Sequence, residues 1–240
     1  MAELVQTGRL WNLINWATLK YLDLIHPRLK QEERYRRFMK VRAFFNPELA
    51  IGQHEGSAPI KVGRLQIEYL KKQGLKPQNS LLDYGCGALR LGRYVIPHLE
   101  PGHYYGLDIS ESMIAYAQRL VAKSNLALYV PSLCHIKKSG IPFEKRFDYI
   151  IAQSVFTHTD PDTTLLIMRA AAEHMHDSSQ FLATFWIRDD FGESRGVDYY
   201  YPVDGIRDMA EKSGLRPEFK DDYEHPSQKM VVFCKLSLPS

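Results

Sequence analysis

Leu81-Leu82-Asp83-Tyr84-Gly85-Cys86-Gly87-Ala88-Leu89-Arg90-Leu91-Gly92 is the stretch whose reading decides the fold. A short apolar run closes on an acidic residue, two glycines follow one apart, and a helical pattern begins after them. That order lets a ligand approach a strand-to-helix turn. Gly85 and Gly87 lack a Cβ, so the backbone there can bend sharply and touch a ligand directly. A Gly-x-Gly at a strand end is often only a tight turn, and the next segment weighs against that plainer reading. His103-Tyr104-Tyr105-Gly106-Leu107-Asp108 reads as a second strand closing on a carboxylate, about 20 residues past the glycines, where a nucleotide ribose would lie. Asp108 can accept hydrogen bonds from two hydroxyls at once, and a charged acceptor strengthens both. Together the two segments point to a nucleotide-type cofactor.

A nicotinamide or flavin cofactor calls for Gly-x-Gly-x-x-Gly, which needs glycine at 90. Arg90 stands there and Gly92 comes two residues late. An oxidoreductase is therefore disfavoured.

With a third segment the pattern resembles the class I S-adenosylmethionine-dependent methyltransferases. "LLDYGCG" is similar to that family's first motif, "YYGLDIS" to its second, and "FDYIIAQSVFTHT" (Phe147 to Thr159) to its fourth. The resemblance runs from about Ser80 to the C-terminus. It implies an α/β, Rossmann-like three-layer sandwich: a mostly parallel seven-stranded sheet, its last strand antiparallel, plus an N-terminal helical extension. It implies S-adenosyl-L-methionine as cofactor, with Gly85, Cys86 and Gly87 running beside the methionine part and Asp83 holding that end. Asp108 would take the ribose, Ile109 would flank the adenine, and Gln153 and Ser154 would sit near the sulfonium. Two positions depart from the pattern. Leu89 replaces a frequent third glycine, which implies a different path for the turn or a higher seat for the cofactor. Between Val130 and Gly140 no acid is present to receive the adenine amino group, so that contact falls to the backbone near Leu133 and Cys134 or is missing.

At 240 residues the chain suits one full α/β core with an appended segment. The expected division is a helical lid or docking segment over 1–58 and the catalytic domain over 59–240. The net charge of +3 is too small to argue for nucleic acid, but residues 1–45 hold nine Lys or Arg against four acids. Cys86, Cys134 and Cys234 show no metal-ligand or disulfide spacing, so no metal is expected and a reducing compartment fits. Cys86 reads as a small packing residue. "MAELVQTGRL" lacks the pattern of a signal peptide, and the cytoplasm is the default location.

Residues 9–28 form an apolar helix carrying Trp11 and Trp16, with polar interruptions that argue against a transmembrane segment. Packing on the catalytic domain, a peripheral membrane contact, partner docking and closure over the site are all open readings for 9–45. A basic helix over 28–45 follows, then a loop holding His54 and Glu55; family members often cover the acceptor with such an extension. Further on, the periodicity predicts helices over 61–73 and from Leu91 to Leu99, one capped by Ser110, and strands over Leu126–Val130, Phe147–Ala152 and Phe181–Ile187. Thr159-Asp160-Pro161 is a helix start, Arg188–Pro202 a polar loop, and Leu215–Phe219 with Lys229–Leu236 a closing pair of strands.

Methyl transfer is a direct displacement on an already activated donor, so the protein mainly positions the reactants and excludes water. A base is needed only if the acceptor must lose a proton, and His158, just past the fourth strand, is the first candidate. It could equally line the pocket or orient the helix start. Candidate acceptor contacts are His54, Arg188, Tyr199 and Tyr200, with the reservation that three consecutive tyrosines alternate sides. The nucleobase-amine signature after the fourth strand is absent, since Gln153-Ser154-Val155-Phe156 stands there. The leading expectation is transfer to an O or N atom of a small molecule such as a metabolite, sugar or natural-product intermediate, with nucleic acid disfavoured. The alternatives are a catalytically weak, methyltransferase-like scaffold protein, or an enzyme acting on RNA or protein.

Overall fold

Leu81 and Leu82 point to opposite sides of one strand, and that alternation divides the molecule into layers. The computed structural model describes residues 8–50, 58–194 and 197–236. Among them the first strand, β1 (Leu81–Tyr84), is buried along its whole length. It pairs in parallel with β2 (Tyr104–Asp108) on one side and β4 (Phe147–Ala152) on the other. Outside them lie β3 (Ser132–His135) and β5 (Met175–Phe185), also parallel. The antiparallel β9 (Lys229–Lys235) joins β5 to β8 (Leu215–Lys220), giving the seven-stranded order β3-β2-β1-β4-β5-β9-β8.

Two apolar clusters cover the faces. Leu81, Ile151 and Leu182 pack toward α4 (Ala58–Lys72) and α6 (Glu111–Ala122), whose Leu70 and Ala117 are fully buried. Leu82, Ile150 and Phe181 pack toward α7 (Pro161–Glu173) and α8 (Val203–Glu211), through Met168 and Ile206. Helices on both faces explain why the central strands read as continuous apolar runs. The chain leaves β1 toward β2 and β3, then returns to the other side of β1 as β4. The crevice beyond the carboxyl ends of these strands is where ligands bind in open α/β sheets.

Before the sheet come α1 (Gly8–Ile25), α2 (Gln31–Phe45) and the single turn α3 (Pro47–Ala50). Leu19 and Leu22 of α1 join Phe38, Met39 and Ala43 of α2 in a third cluster that reaches Ala88 and Met113. The N-terminal helices are thus seated on the Gly-x-Gly turn. Arg34 and Asp23 add an ion pair across the α1–α2 hairpin.

Several boundaries differ from the sequence reading. The run Leu126–Val130 is not the third strand but a 3₁₀ turn over Asn125–Tyr129, begun by the Ser124 hydroxyl accepting from the Leu126 N–H. Val130 then turns left-handed (φ 46°), and β3 starts at Ser132. Leu91–Leu99 holds only α5 (Gly92–Val95) and a 3₁₀ turn over Ile96–His98, because Pro97 lacks the N–H that a longer helix needs. The fifth strand begins at Met175, six residues early, where a bulge beside Phe147 extends the pairing through a polar stretch with no alternation. The loop 188–202 contains a small hairpin, β6 (Gly192–Ser194) with β7 (Asp198–Tyr200). Ser110 does precede α6, yet its hydroxyl engages Ser112 and not the helix N–H groups.

Candidate active site

The turn after β1 is built by backbone geometry that side chains would obstruct. The N–H groups of Gly85 and Cys86 both donate to the Leu107 carbonyl, at 2.8 and 3.0 Å. Gly85 lies at φ 78° and Gly87 at φ 53°. A Cβ on Gly85 would come within 2.6 Å of Val155 Cγ2, so the position admits only glycine. Leu89 also sits at φ 62° with its side chain fully buried. Where a third glycine is frequent, a leucine here adopts the left-handed conformation, and its burial in the core offsets a strain of about 1–2 kcal/mol. Cys86 is buried against Gly106, whose missing Cβ leaves it room, and burial pushes its thiol well above the ordinary range. It is a packing residue, as its sequence position suggests. All three cysteines are free.

Asp108 joins this turn to the next strand. Its Oδ2 accepts the Gly87 N–H at 2.9 Å and its Oδ1 the Ser110 N–H at 2.7 Å. Each oxygen keeps a second lone pair for a ligand hydroxyl. Burial raises the Asp108 carboxyl above its ordinary pKa, while the Ser110 and Gly87 N–H groups oppose the shift. Asp83 is buried behind the turn and accepts from the Tyr104 hydroxyl at 2.8 Å. Burial lifts its pKa to about 7, against the Tyr104 hydrogen bond and the Arg90 charge, which pull it down.

His158 closes a 3₁₀ turn (Phe156–His158) after β4. Its Nδ1 lies 2.8 Å from the Val197 carbonyl and 3.2 Å from Asp198 Oδ1. A carbonyl and a carboxylate can only accept, so Nδ1 is the donor in both contacts and Nε2 is left for other partners. The imidazole stacks on Tyr35 of α2 (5.3 Å) and meets the edge of Trp186 (5.7 Å). Trp186 stacks in turn on Tyr200, and the Arg188 guanidinium lies 3.5 Å from the Tyr200 ring centre. Arg188 and Tyr200 thus belong to one aromatic column with His158. Tyr199 faces away, buried and stacked on Phe191. The tyrosines alternate sides as a strand requires.

One cavity joins these parts. Its floor includes Gly85, Asp108, Ile109 and Ser154, with His158 on its wall. Its roof is Gln31, Glu32 and Tyr35 of α2, residues the sequence reading did not single out. Gln31 and Tyr35 are one helical turn apart on one face, which is the signal that could have found them. Gln31 donates to the His158 carbonyl, Glu32 accepts from the Ser139 N–H and hydroxyl, and Arg36 donates to the Lys137 carbonyl at 2.7 Å. Ile136 and Ser139, also missed, line the cavity a few residues past the Leu133–Cys134 backbone to which the sequence reading assigns the adenine contact. The Leu133 side chain packs toward the α6 face, its Cδ2 close to Gly106.

Gln153 and Ser154 open a buried polar network. Gln153 accepts from the Tyr223 hydroxyl and donates to Gln228 Oε1, each at 2.7 Å. Gln228 also receives the Thr184 hydroxyl at 2.7 Å, and Thr184 accepts the Ser154 N–H at 2.9 Å. The network holds Ser154 at φ 59°, at the cavity edge, while the Gln153 side chain is turned into the protein. His54 lies outside the described residues. Among the described residues no group of three or more His, Cys, Asp or Glu could hold a metal ion, and no helix is long and apolar enough to cross a membrane.

Residues 82–181 match the family described as "Methyltransferase domain". Among solved structures the fold is similar to magnesium protoporphyrin IX methyltransferase (ChlM) from Synechocystis PCC 6803 with bound SAM. The identity there is 17%, over 86% of this chain and 98% of that one, with a TM-score of 0.64. It is also similar to the mitomycin 7-O-methyltransferase MmcR, at 19% identity over 94% of this chain and 68% of that one, with a TM-score of 0.68. A third similar structure is the CcbJ methyltransferase from Streptomyces caelestis, at 17% identity over 73% of this chain and 90% of that one, TM-score 0.58. The match covers residues 82–181, which include the glycine turn and Asp108, and the seven-stranded order around them is the fold shared with these solved structures.

Proposed function

We propose that the protein transfers a methyl group from S-adenosyl-L-methionine to an O or N atom of a small molecule. The observation that carries this reading is one cavity bringing Gly85 and Asp108 together with His158 beneath α2. The residues fit the cofactor. Gly85, half-buried on the cavity floor, leaves backbone open to approach, and Asp108 is held by two N–H groups with lone pairs to spare for ribose hydroxyls. Ile109 and Ile136 offer apolar walls for an adenine, and Ser139 a polar group beside them. Asp83, behind the turn, supplies negative charge to the methionine end, and Ser154 sits at the edge near the sulfonium. Gln153 acts through Ser154, and Cys86 and Leu133 through packing of the turn.

The bound cofactor supplies an activated methyl group; the chain's own residues supply the rest. Tyr35, Gln31 and Glu32 exclude water from above, which makes the N-terminal segment a lid. His158, its Nδ1 proton held by Val197 and Asp198, offers Nε2 to take a proton from the acceptor. Trp186, Tyr200 and Arg188 extend a flat, partly cationic surface from the base, suited to a planar or anionic acceptor. The similarity to ChlM, MmcR and CcbJ, whose names include small-molecule methyltransferases, favours the same acceptor class.

Isothermal titration with S-adenosylmethionine tests the reading. Micromolar binding that is lost in Asp108→Ala supports it and licenses an acceptor screen with His158→Ala as the base-deficient control. A folded protein that binds no cofactor, alone or with candidate acceptors, overturns it.

A further inference from the structure

The catalytic reading leaves the outer side of the N-terminal hairpin unexplained. Leu19 and Leu22 of α1 face inward, and Asp23 pairs with Arg34, so the helix is already docked on α2. Its opposite side is nevertheless apolar: Leu13, Trp16 (60% exposed), Tyr21, Leu24 (81%) and Ile25 lie in solvent. At the end of α2, Phe44 (83%) and Phe45 are exposed as well. Among the described residues, these make seven of the twelve exposed large apolar side chains. Scattered exposed apolar residues need no explanation, but a concentration on one hairpin does.

Charge decides what covers it. Residues 1–45 hold nine Lys or Arg against four acids, whereas the whole chain is only +3. Lys20 stands within the apolar face, and Arg28 and Lys30 are exposed in the connection between α1 and α2. A second copy docked there would bring two like-charged segments together, which costs energy. An anionic surface gains from the exposed Lys20, Arg28 and Lys30, whereas Arg34, Arg36 and Arg37 are taken up by ion pairs with Asp23 and Glu33. The face belongs to an 18-residue helix, about 27 Å long, and mixes Trp and Tyr with aliphatic side chains. That mixture suits the boundary between lipid headgroups and acyl chains, where aromatic rings with a polar edge settle. The helix is too short of apolar residues to cross a bilayer, which leaves it lying in the surface plane.

We propose that the outer face of α1, with Phe44 and Phe45, lies on an anionic lipid membrane. On its inner side α2 roofs the cavity, so the site sits directly behind the membrane-facing hairpin.

Co-sedimentation of the full chain with vesicles tests this without any cofactor. Vesicles of phosphatidylcholine with phosphatidylglycerol should carry the protein down, and vesicles of phosphatidylcholine alone should carry down much less. The Trp16→Ser/Leu24→Ser variant, changed only at exposed positions and checked for an unaltered circular-dichroism melt, should bind at least about tenfold more weakly. Lys20→Glu should lower binding about fivefold or more at low salt. Failure of the wild-type chain to bind the anionic vesicles overturns the proposal, as does binding that the double variant leaves unchanged. Self-association abolished by W16S/L24S, in a chain that ignores vesicles, would assign the face to a second copy instead. None of these outcomes depends on methyl transfer, so the two readings stand or fall separately.

Discussion

Asp83 shows what one buried group contributes. Its carboxyl is lifted to about 7 by burial, above an ordinary value of 3.8. Below the ordinary value both the folded and the unfolded chain hold the proton. Between the two values only the folded chain keeps it, so stability falls as pH rises across that window. Asp83→Asn should flatten the slope, removing a change on the order of 2–4 kcal/mol between about pH 4 and pH 8, read from urea midpoints at several pH values. A cationic methionine end beside Asp83 favours the charged carboxylate. Cofactor binding near neutral pH should therefore release a proton from the wild type and not from the variant, measured by titration in two buffers of unequal ionisation heat. The same scale explains Leu89: its left-handed backbone costs less than its buried side chain returns, so the turn does without a glycine.

At the scale of elements, α2 is the part whose role depends on contacts far along the chain. Glu32 holds Ser139, Arg36 holds the Lys137 carbonyl, and Tyr35 stacks on His158. These bonds link the helix to the two loops that flank the cavity, and each is partly exposed, so each contributes modestly to stability. Glu32→Ala should change the denaturation midpoint little, by about 1 kcal/mol or less, and yet weaken S-adenosylmethionine binding several-fold by loosening the roof. Calorimetric affinity set against urea stability separates these effects. By contrast α7 was legible from three residues: Asp160 accepts the Thr163 N–H at 2.8 Å and Pro161 occupies the first turn, the arrangement Thr159-Asp160-Pro161 announced.

The network around Gln228 acts across the whole molecule, tying β4, β5 and the loop before β9 behind the cavity. Replacing Gln228 with Ala would strip a partner from Gln153, Thr184 and Ser154 together. Buried polar groups left without partners cost about 1–3 kcal/mol each where water cannot reach them. Gln228→Ala should therefore lower stability by about 2–4 kcal/mol and, by releasing Ser154 from its left-handed backbone, weaken cofactor binding as well. Urea unfolding and calorimetry read the two losses.

What the sequence by itself determined is the local chemistry: the Gly-x-Gly turn, Asp83 and Asp108 at strand ends, the start of α7, and the alternation of strands and helices that requires a parallel sheet. Each rests on residues within a few positions of one another, where backbone freedom, capping and burial are local properties. The third strand was misplaced because Leu126, Leu128 and Val130 alternate as a strand would, while a serine hydroxyl and the following proline favour a turn. Only the tertiary structure decided which side chains share the cavity. Tyr35 and His158, 123 positions apart, meet because the hairpin folds back over the sheet edge. Gln153 turned inward because Tyr223 and Gln228 waited there, and Leu133 was drawn to the α6 face by the gap at Gly106. Long-range packing set those orientations, and no local pattern encodes it.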